Sequence, residues 1–516
     1  MIPISLPCLL TLLLTLSAFA DTYWVSPNGK AGWAAAKSDS PLSGDAATSL
    51  ITASANAKAG DIVYLRGGEY LGQEIRPRHS GESDAQRIIF TNHKDETVVI
   101  RESGGIIVQK KSYVTVKGLE FRSMKTFFHI FGSHYVNIEH CLFDGRSKTD
   151  GRWAGGWICE NRVPGVADPE DSTHNRVAHC KFFRWYWRDK IRDRGAIFDI
   201  GVISSKTDKS SHNIIEHNEF AYGGHHCLGI FSKQNVIRNN YFHNETDPKE
   251  WDYPGYRGAI TQGSSAGRNL WEGNRFGFCG HSGMGLRSPN NIIRRNYFYQ
   301  NDQGGLQVVS NAQFPGNRDA ADNNRIYHNT FYRNGHREKY PPFQGGIYFA
   351  NWKQVSAKGN VIKNNLFYDN KNGEVSMEDT VLPQIIENNW ENRIDPSFID
   401  IKDGGPQVKD KPNLRLKNDS PAKDKGTWLT TITSNNGTGR SFKVEDSSFF
   451  MDGWGIIEGD HIQLEGQSIA AKITGVNYST HTITLDRGLT FTQGQGLTLS
   501  YQDEAPDLGA FEIGMD

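Results

Sequence analysis

Apolar and polar positions follow a fixed order through the middle of the chain. An Asn is followed five residues later by Asn or Cys, and two further on by Phe, as in Asn213, Asn218 and Phe220. The leading Asn recurs at Asn175, Asn213, Asn235, Asn269, Asn291, Asn324 and Asn360. The Phe series runs from Phe121 and Phe143 through Phe182 to Phe367 and on to Trp390, with a shortest spacing of 22 residues. A coil of about 22 residues, lengthened by loop insertions, accounts for the larger gaps. Three short strands and three turns fill such a coil, so the pattern predicts an all-β, parallel β-helix solenoid. Phe would stack in the core from coil to coil, and Asn would sit in turns, adopt the left-handed backbone and bond the next coil.

A second, Gly-led strand recurs in each coil at Gly195, Gly229, Gly258, Gly285, Gly305 and Gly346. Aligning these glycines places Arg287 level with Phe231, Ile260, Gln307 and Tyr348. Insertions fall on both sides of this strand. They predict loops walling one sheet, and a walled sheet is a cleft.

The ends break the pattern. Residues 1–20 contain an uncharged apolar stretch, Ile4 to Leu16, then Ala18-Phe19-Ala20, which is a signal-peptide and cleavage pattern. The expectation is a secreted or periplasmic protein with no membrane span. Residues 21–426 form the solenoid, with an N-terminal cap over about 21–60 that includes a short helix near Ala46–Ala57. Residues 427–503 alternate apolar and polar positions, as in His481-Thr-Ile-Thr-Leu, and predict a small inserted β-rich domain. Residues 504–516 return to the solenoid, and Asp395–Phe398, Asn418–Ala422 and Ala505–Glu512 look like pieces of one terminal coil.

Composition narrows the partners. The 516 residues carry 57 basic and 58 acidic side chains, a net charge of −1, without a basic footprint for nucleic acid. Five cysteines follow the signal segment, an odd number that argues against a complete disulfide framework. Cys141 and Cys180 occupy the same repeat position and read as stacked thiols, or as a pair.

The Gly60–Tyr70 segment and the Asn-ladder coils, over about residues 22–425 and 505–512, resemble the right-handed parallel β-helix superfamily of exported carbohydrate-active proteins. Within it the chain is similar to polysaccharide lyases of the chondroitinase B and alginate lyase type. That resemblance implies a catalytic Lys before an Asn turn and an Arg on the next coil, matched here by Lys233 and Arg257. The family has Lys then Ser; here Ser232 precedes Lys233, and no acidic calcium-ligand set is matched.

Candidate chemistry gathers around the Gly-led strand. His225, His226 and His281 precede strands in central coils, with Tyr253, Tyr256 and Arg257 between them. Breaking a uronic acid polymer by β-elimination needs the carboxylate charge neutralised, a base for the neighbouring proton and an acid for the departing oxygen. His226, Tyr256, Arg257, His281 and Lys233 are the expected catalytic groups. His225, Arg287, Gln307, Tyr348, Trp251 and Tyr253 are the expected substrate contacts. No cofactor is required by this set, and Ca2+ is the one candidate because a bound cation also neutralises a carboxylate. Hydrolysis would use two carboxyl groups instead, drawn from Asp199, Asp302, Glu245, Asp247 and Asp252. The expected function is therefore a polysaccharide lyase for an acidic glycan. A glycoside hydrolase, a uronate epimerase and a non-catalytic glycan binder remain the alternatives.

Overall fold

The computed structural model describes residues 20–102, 104–124, 126–145, 155–159, 171–183, 196–201, 210–245, 257–263, 266–314, 317–319, 321–336, 344–352, 356–401 and 411–515. Of the segment 1–20 expected to be a signal peptide, residues 1–19 lie outside them. Three long parallel sheets run along a solenoid axis, of 13, 11 and 10 strands, and Asn317–Asp319 joins the third as an antiparallel eleventh. Each coil gives one strand to each sheet, for example Arg176–Ala178, then Lys181–Phe183, then Ala196–Ile200. The helix of the N-terminal cap spans Leu50–Asn56.

Side-chain ladders set the coil. Phe143, Phe182 and Phe220 stack at 4.8 Å, with their rings within 7° of parallel. Asn296 shows how a ladder Asn works. Its Nδ2 donates to the carbonyls of Trp271 and Arg294 and to Asn329 Oδ1, while its Oδ1 accepts from Asn274. The left-handed backbone falls on the residue before the ladder Asn, not on the Asn itself: His174, His212, Gln234 and Arg268 have φ of 60°, 59°, 53° and 63°. The Asn is then turned inward, where it closes buried backbone groups. A further ladder, Asn301, Asn334, Asn370 and Asn392, lies at the corner between the second and third sheets.

Two of the three outer faces are covered. On the first sheet, Val236, Leu270, Ile292 and Tyr327 pack against Leu429, Phe449, Phe450 and Ile462 of an antiparallel six-stranded module. Arg294 is clamped by both oxygens of Asp460 at 2.6 and 2.8 Å, each side chain about 5% exposed. A cavity of about 1250 Å³ lies beside this contact. Its arginines Arg176, Arg238 and Arg294 pair with Glu216 and Glu272, so charged packing explains it. On the second sheet, Tyr241, Tyr299 and Tyr332 lie under Phe398, Leu414, Leu508 and Ala510. The terminal pieces do not form a coil: Phe398–Asp400 pairs antiparallel with Asn413–Leu416, and Ala510 N donates to Thr330 Oγ1 of the solenoid. The five described cysteines are free thiols, so Cys141 and Cys180 are stacked and not bridged.

Candidate active site

The third sheet keeps an outer face with polar side chains, and the sequence insertions flank it on both sides. Successive strands are Phe128–Phe131, Gly156–Cys159, Ala196–Ile200, His226–Ile230, Arg257–Gln262, Met284–Arg287, Gly304–Phe314 and Gly345–Trp352. Phe198, Leu228, Ala259, Met284 and Leu306 point into the core. One residue further on, the outward row reads His129, Trp157, Asp199, Gly229, Ile260, Gly285, Gln307 and Tyr348.

This register corrects the glycine alignment. Gly258 pairs in level with Gly283, Gly305 and Gly346, so Gly285 lies two residues further along. Arg287 is therefore level with Gln262 and Phe231, not with Ile260, Gln307 and Tyr348. The misassigned glycines serve the outer face. A Cβ on Gly229 would meet Asp199 Oδ1 at 2.2 Å and His226 Nε2 at 2.8 Å. A Cβ on Gly285 would meet Arg257 Cδ at 3.1 Å. Both positions leave room for a side chain from a preceding coil to cross the floor.

His226 opens its strand and is held on both sides. Its Nε2 lies 3.2 Å from Asp199 Oδ1, and its Nδ1 lies 3.0 Å from His225 Nδ1. An ionised carboxylate only accepts, so Asp199 selects the tautomer with the proton on His226 Nε2. His226 Nδ1 is then an acceptor, and His225 Nδ1 must donate to it. The relay Asp199–His226–His225 ends at His225 Nε2, which carries the lone pair.

Arg257 runs over Gly285, and its Nη2 donates to Gln307 Oε1 at 2.7 Å, two strands further on. It is 1% exposed, and Arg287 beside it is also buried. His281 is level with His225, two coils away, and its Nδ1 lies 3.1 Å from Ser282 Oγ. Burial first, then His226, Arg257 and Arg287, holds the His225 pKa well below the usual imidazole value. Burial, Arg257, Arg287 and His225 do the same to His281. Two neutral imidazoles thus face two fixed cations.

The structure brings together His225, His226, Arg257, His281, Arg287 and Gln307. Tyr348 lies later in the row, before half-buried Ser376, and donates to Glu378 Oε1 at 2.7 Å. Lys233 is exposed on the turn after the strand His226–Ile230, at the opposite edge of the sheet from His225. Trp251, Tyr253 and Tyr256 lie outside the described residues. Sequence reasoning missed His129, Trp157 and Glu378, and it had Asp199 only as a carboxylate for hydrolysis. The available signal was alternation: His129 and Trp157 stand between inward Phe128, Ile130 and Ile158.

A calcium ion would need several oxygen ligands. Among the described residues, no group of three or more His, Cys, Asp and Glu is placed to hold a metal. At the cluster, Asp199 is engaged with His226, and two guanidinium groups already supply positive charge. Among the described residues of this cluster the donor set does not fit Ca2+.

Residues 200–408 match the family model described as the right handed beta helix region. The chain is a right-handed parallel β-helix. No curated protein matches its sequence. Among solved structures, the β-helix is similar to pectate lyase Pel9A, at 15% identity and TM-score 0.42, over 95% of this chain and 96% of that one. A mannuronic acid specific family 6 polysaccharide lyase from human gut microbiota shares 16% identity at TM-score 0.39, over 71% and 86% of the two chains. The periplasmic alginate epimerase AlgG, as a double mutant, shares 14% at TM-score 0.41, over 64% and 77%. These likenesses concern the fold. No helix of the described residues is long and apolar enough to cross a membrane.

Proposed function

We propose that this β-helix is an exported polysaccharide lyase that breaks a uronate-containing glycan by β-elimination on the outer face of its third sheet. The observation that supports this most is the pairing of two buried arginines, Arg257 and Arg287, with neutral imidazoles, His225 and His281.

Arg257 and Arg287 accept the sugar carboxylate and spread its charge, which acidifies the neighbouring C5 proton. His225 Nε2 takes that proton. His226 and Asp199 hold the His225 ring and share the positive charge it acquires. The electron pair of the C–H bond forms the C4–C5 double bond, and the C4–O bond to the next sugar breaks. The departing oxygen gains a proton, which the new imidazolium of His225 can return on the same face. Burial, then His226 and the two arginines, hold the His225 pKa down; the bound carboxylate offsets the arginine part, so the basicity of His225 rises when substrate arrives. His281 supplies a second imidazole at the same cations. Lys233 and Tyr256 are assigned no step.

Hydrolysis is less well supported, because among the described residues Asp199 is the carboxylate engaged with the histidines, where a glycosidase needs two. A screen of acidic and neutral polysaccharides, read by ultraviolet absorbance and by reducing ends, tests the proposal. An acidic polymer should give unsaturated, ultraviolet-absorbing ends that appear in step with reducing ends. Saturated ends alone would select hydrolysis, and inverted uronates without cleavage would select epimerisation.

A further inference from the structure

The Asn ladder at the corner between the second and third sheets follows one rule. In Asn301, Asn334 and Asn370 the Nδ2 amide donates to the Asn Oδ1 of the next coil, at 2.9, 2.9 and 2.8 Å. It also donates to the ladder Phe carbonyl one coil back, at 3.0, 2.9 and 2.9 Å. Backbone pairing extends this column toward the N-terminus through Cys279 and Asn244. Gly280 N donates to Asn244 O, as Asp302 N donates to Cys279 O and Gly335 N to Asn301 O.

Cys279 stands where the ladder would place an Asn. Its backbone amide still donates to Asn301 Oδ1 at 3.1 Å, but its side chain is a buried free thiol whose pKa burial pushes up. A thiol sulfur is a weak acceptor, so it offers the Asn244 amide no equivalent of the missing Oδ1. The fully buried Asn244 side chain turns elsewhere. Its Nδ2 donates to the Arg257 carbonyl at 2.8 Å and to the Gly224 carbonyl at 3.4 Å. The chain on either side of Asn244 is pinned: His243 Nδ1 lies 2.9 Å from both oxygens of Glu245, and its Nε2 lies 3.1 Å from Glu219 Oε1.

Both carbonyls belong to the site. Arg257 opens the strand that carries the guanidinium, and Gly224 immediately precedes His225. Arg257 N also donates to the His225 carbonyl at 3.2 Å. With that bond, the Asn244 amide ties the turn before the base to the strand that binds the carboxylate. Small displacements of such groups are costly, because reaction requires them in register.

We propose that Asn244 is a positioning residue of the site: released from its ladder by Cys279, it locks the His225 turn to the Arg257 strand. The inference rests on the lyase reading and adds a residue that acts through His225 and Arg257 and not on the sugar.

Cys279→Asn separates this role from plain solenoid packing, because it supplies the missing ladder oxygen and draws the Asn244 amide back into the column. The test compares the full-length parent, Cys279→Asn, Asn244→Ala and the double variant by Tm and by steady-state kinetics on the acidic polymer identified by the screen. Cys279→Asn should keep or raise Tm, since it completes a ladder. It should nevertheless raise KM about three- to tenfold, the worth of one hydrogen bond, with a smaller fall in kcat. The shorter bond goes to the arginine strand, so binding suffers more than proton transfer. Asn244→Ala should raise KM at least as much, and adding Cys279→Asn to it should change KM no further, since no amide is left to withdraw. Loss of folded protein alone lowers the apparent kcat and leaves KM unmoved. Either single variant decides by its KM if the other fails to fold. A parent-level KM in either folded variant would overturn the positioning role and leave the lyase reading standing. Absence of turnover by the parent on every glycan would overturn both.

Discussion

Asp199 Oδ1 and His226 Nε2 meet at 3.2 Å across Gly229, although the two residues are 27 positions apart. The contact fixes the imidazole tautomer and so decides that His225, not His226, presents the basic nitrogen. Asp199→Asn keeps the shape and removes the obligate acceptor. It should lower kcat on the order of 100-fold, the size of a general-base contribution, with KM little changed. Steady-state kinetics on the acidic polymer checks this, and an unchanged kcat would refute the relay.

Gly229 provides an independent probe of the same contact. A methyl group there would sit 2.2 Å from Asp199 Oδ1, whereas one on Gly285 would meet the flexible Arg257 side chain at 3.1 Å. Gly229→Ala should therefore reduce activity about as much as Asp199→Asn. Gly285→Ala should raise KM more than it lowers kcat, because it displaces the carboxylate-binding arginine. Comparing the kcat and KM effects of the two variants gives the answer.

The buried Arg294–Asp460 pair bolts the antiparallel module to the solenoid. Removing Asp460 leaves two donors of the buried Arg294 guanidinium without their carboxylate and Glu272 as its remaining charged partner among the described residues. Asp460→Ala should destabilise the protein by about 3–5 kcal/mol. Replacing both, as Arg294→Met with Asp460→Leu, should restore much of the loss. Urea unfolding of the parent protein and these two variants distinguishes a net-stabilising pair from one that merely must not be broken.

Acid should weaken the fold through His328. Burial first, then Arg295, lowers its pKa to about 3, while its Nδ1 lies 3.0 Å from the Asp507 carbonyl of the C-terminal segment. Below the ordinary imidazole pKa of 6.5 the unfolded chain takes up a proton that the folded chain refuses. Stability is therefore full at neutral pH and falls as pH drops from 6.5 toward 3. Between pH 7 and pH 4 this amounts to on the order of 3 kcal/mol. His328 has φ of 50°, which Asn tolerates, so His328→Asn should flatten the pH dependence of Tm over that range.

The architecture was legible because every coil repeats the same local constraint. Asn213, Asn218 and Phe220 announce a turn, a closed corner and a core ring, and their recurrence needs no knowledge of distant contacts. The site was only partly legible. His225, His226, Arg257, His281 and Arg287 were recognisable as unusual residues near one strand. Their grouping depended on how insertions of unequal length resolve into register. Gly285 looked like a strand start, and only the backbone pairing shows it two residues further along, under Arg257. Trp157 and Glu378 carried no repeat signature at all. The linear order of residues therefore determined the solenoid, since ladder contacts are periodic in sequence. Tertiary structure alone decided which outer face presents the polar cluster, which histidine carries the lone pair and which strand positions stand level with one another. Those features arise from contacts between coils whose separation along the chain follows no period.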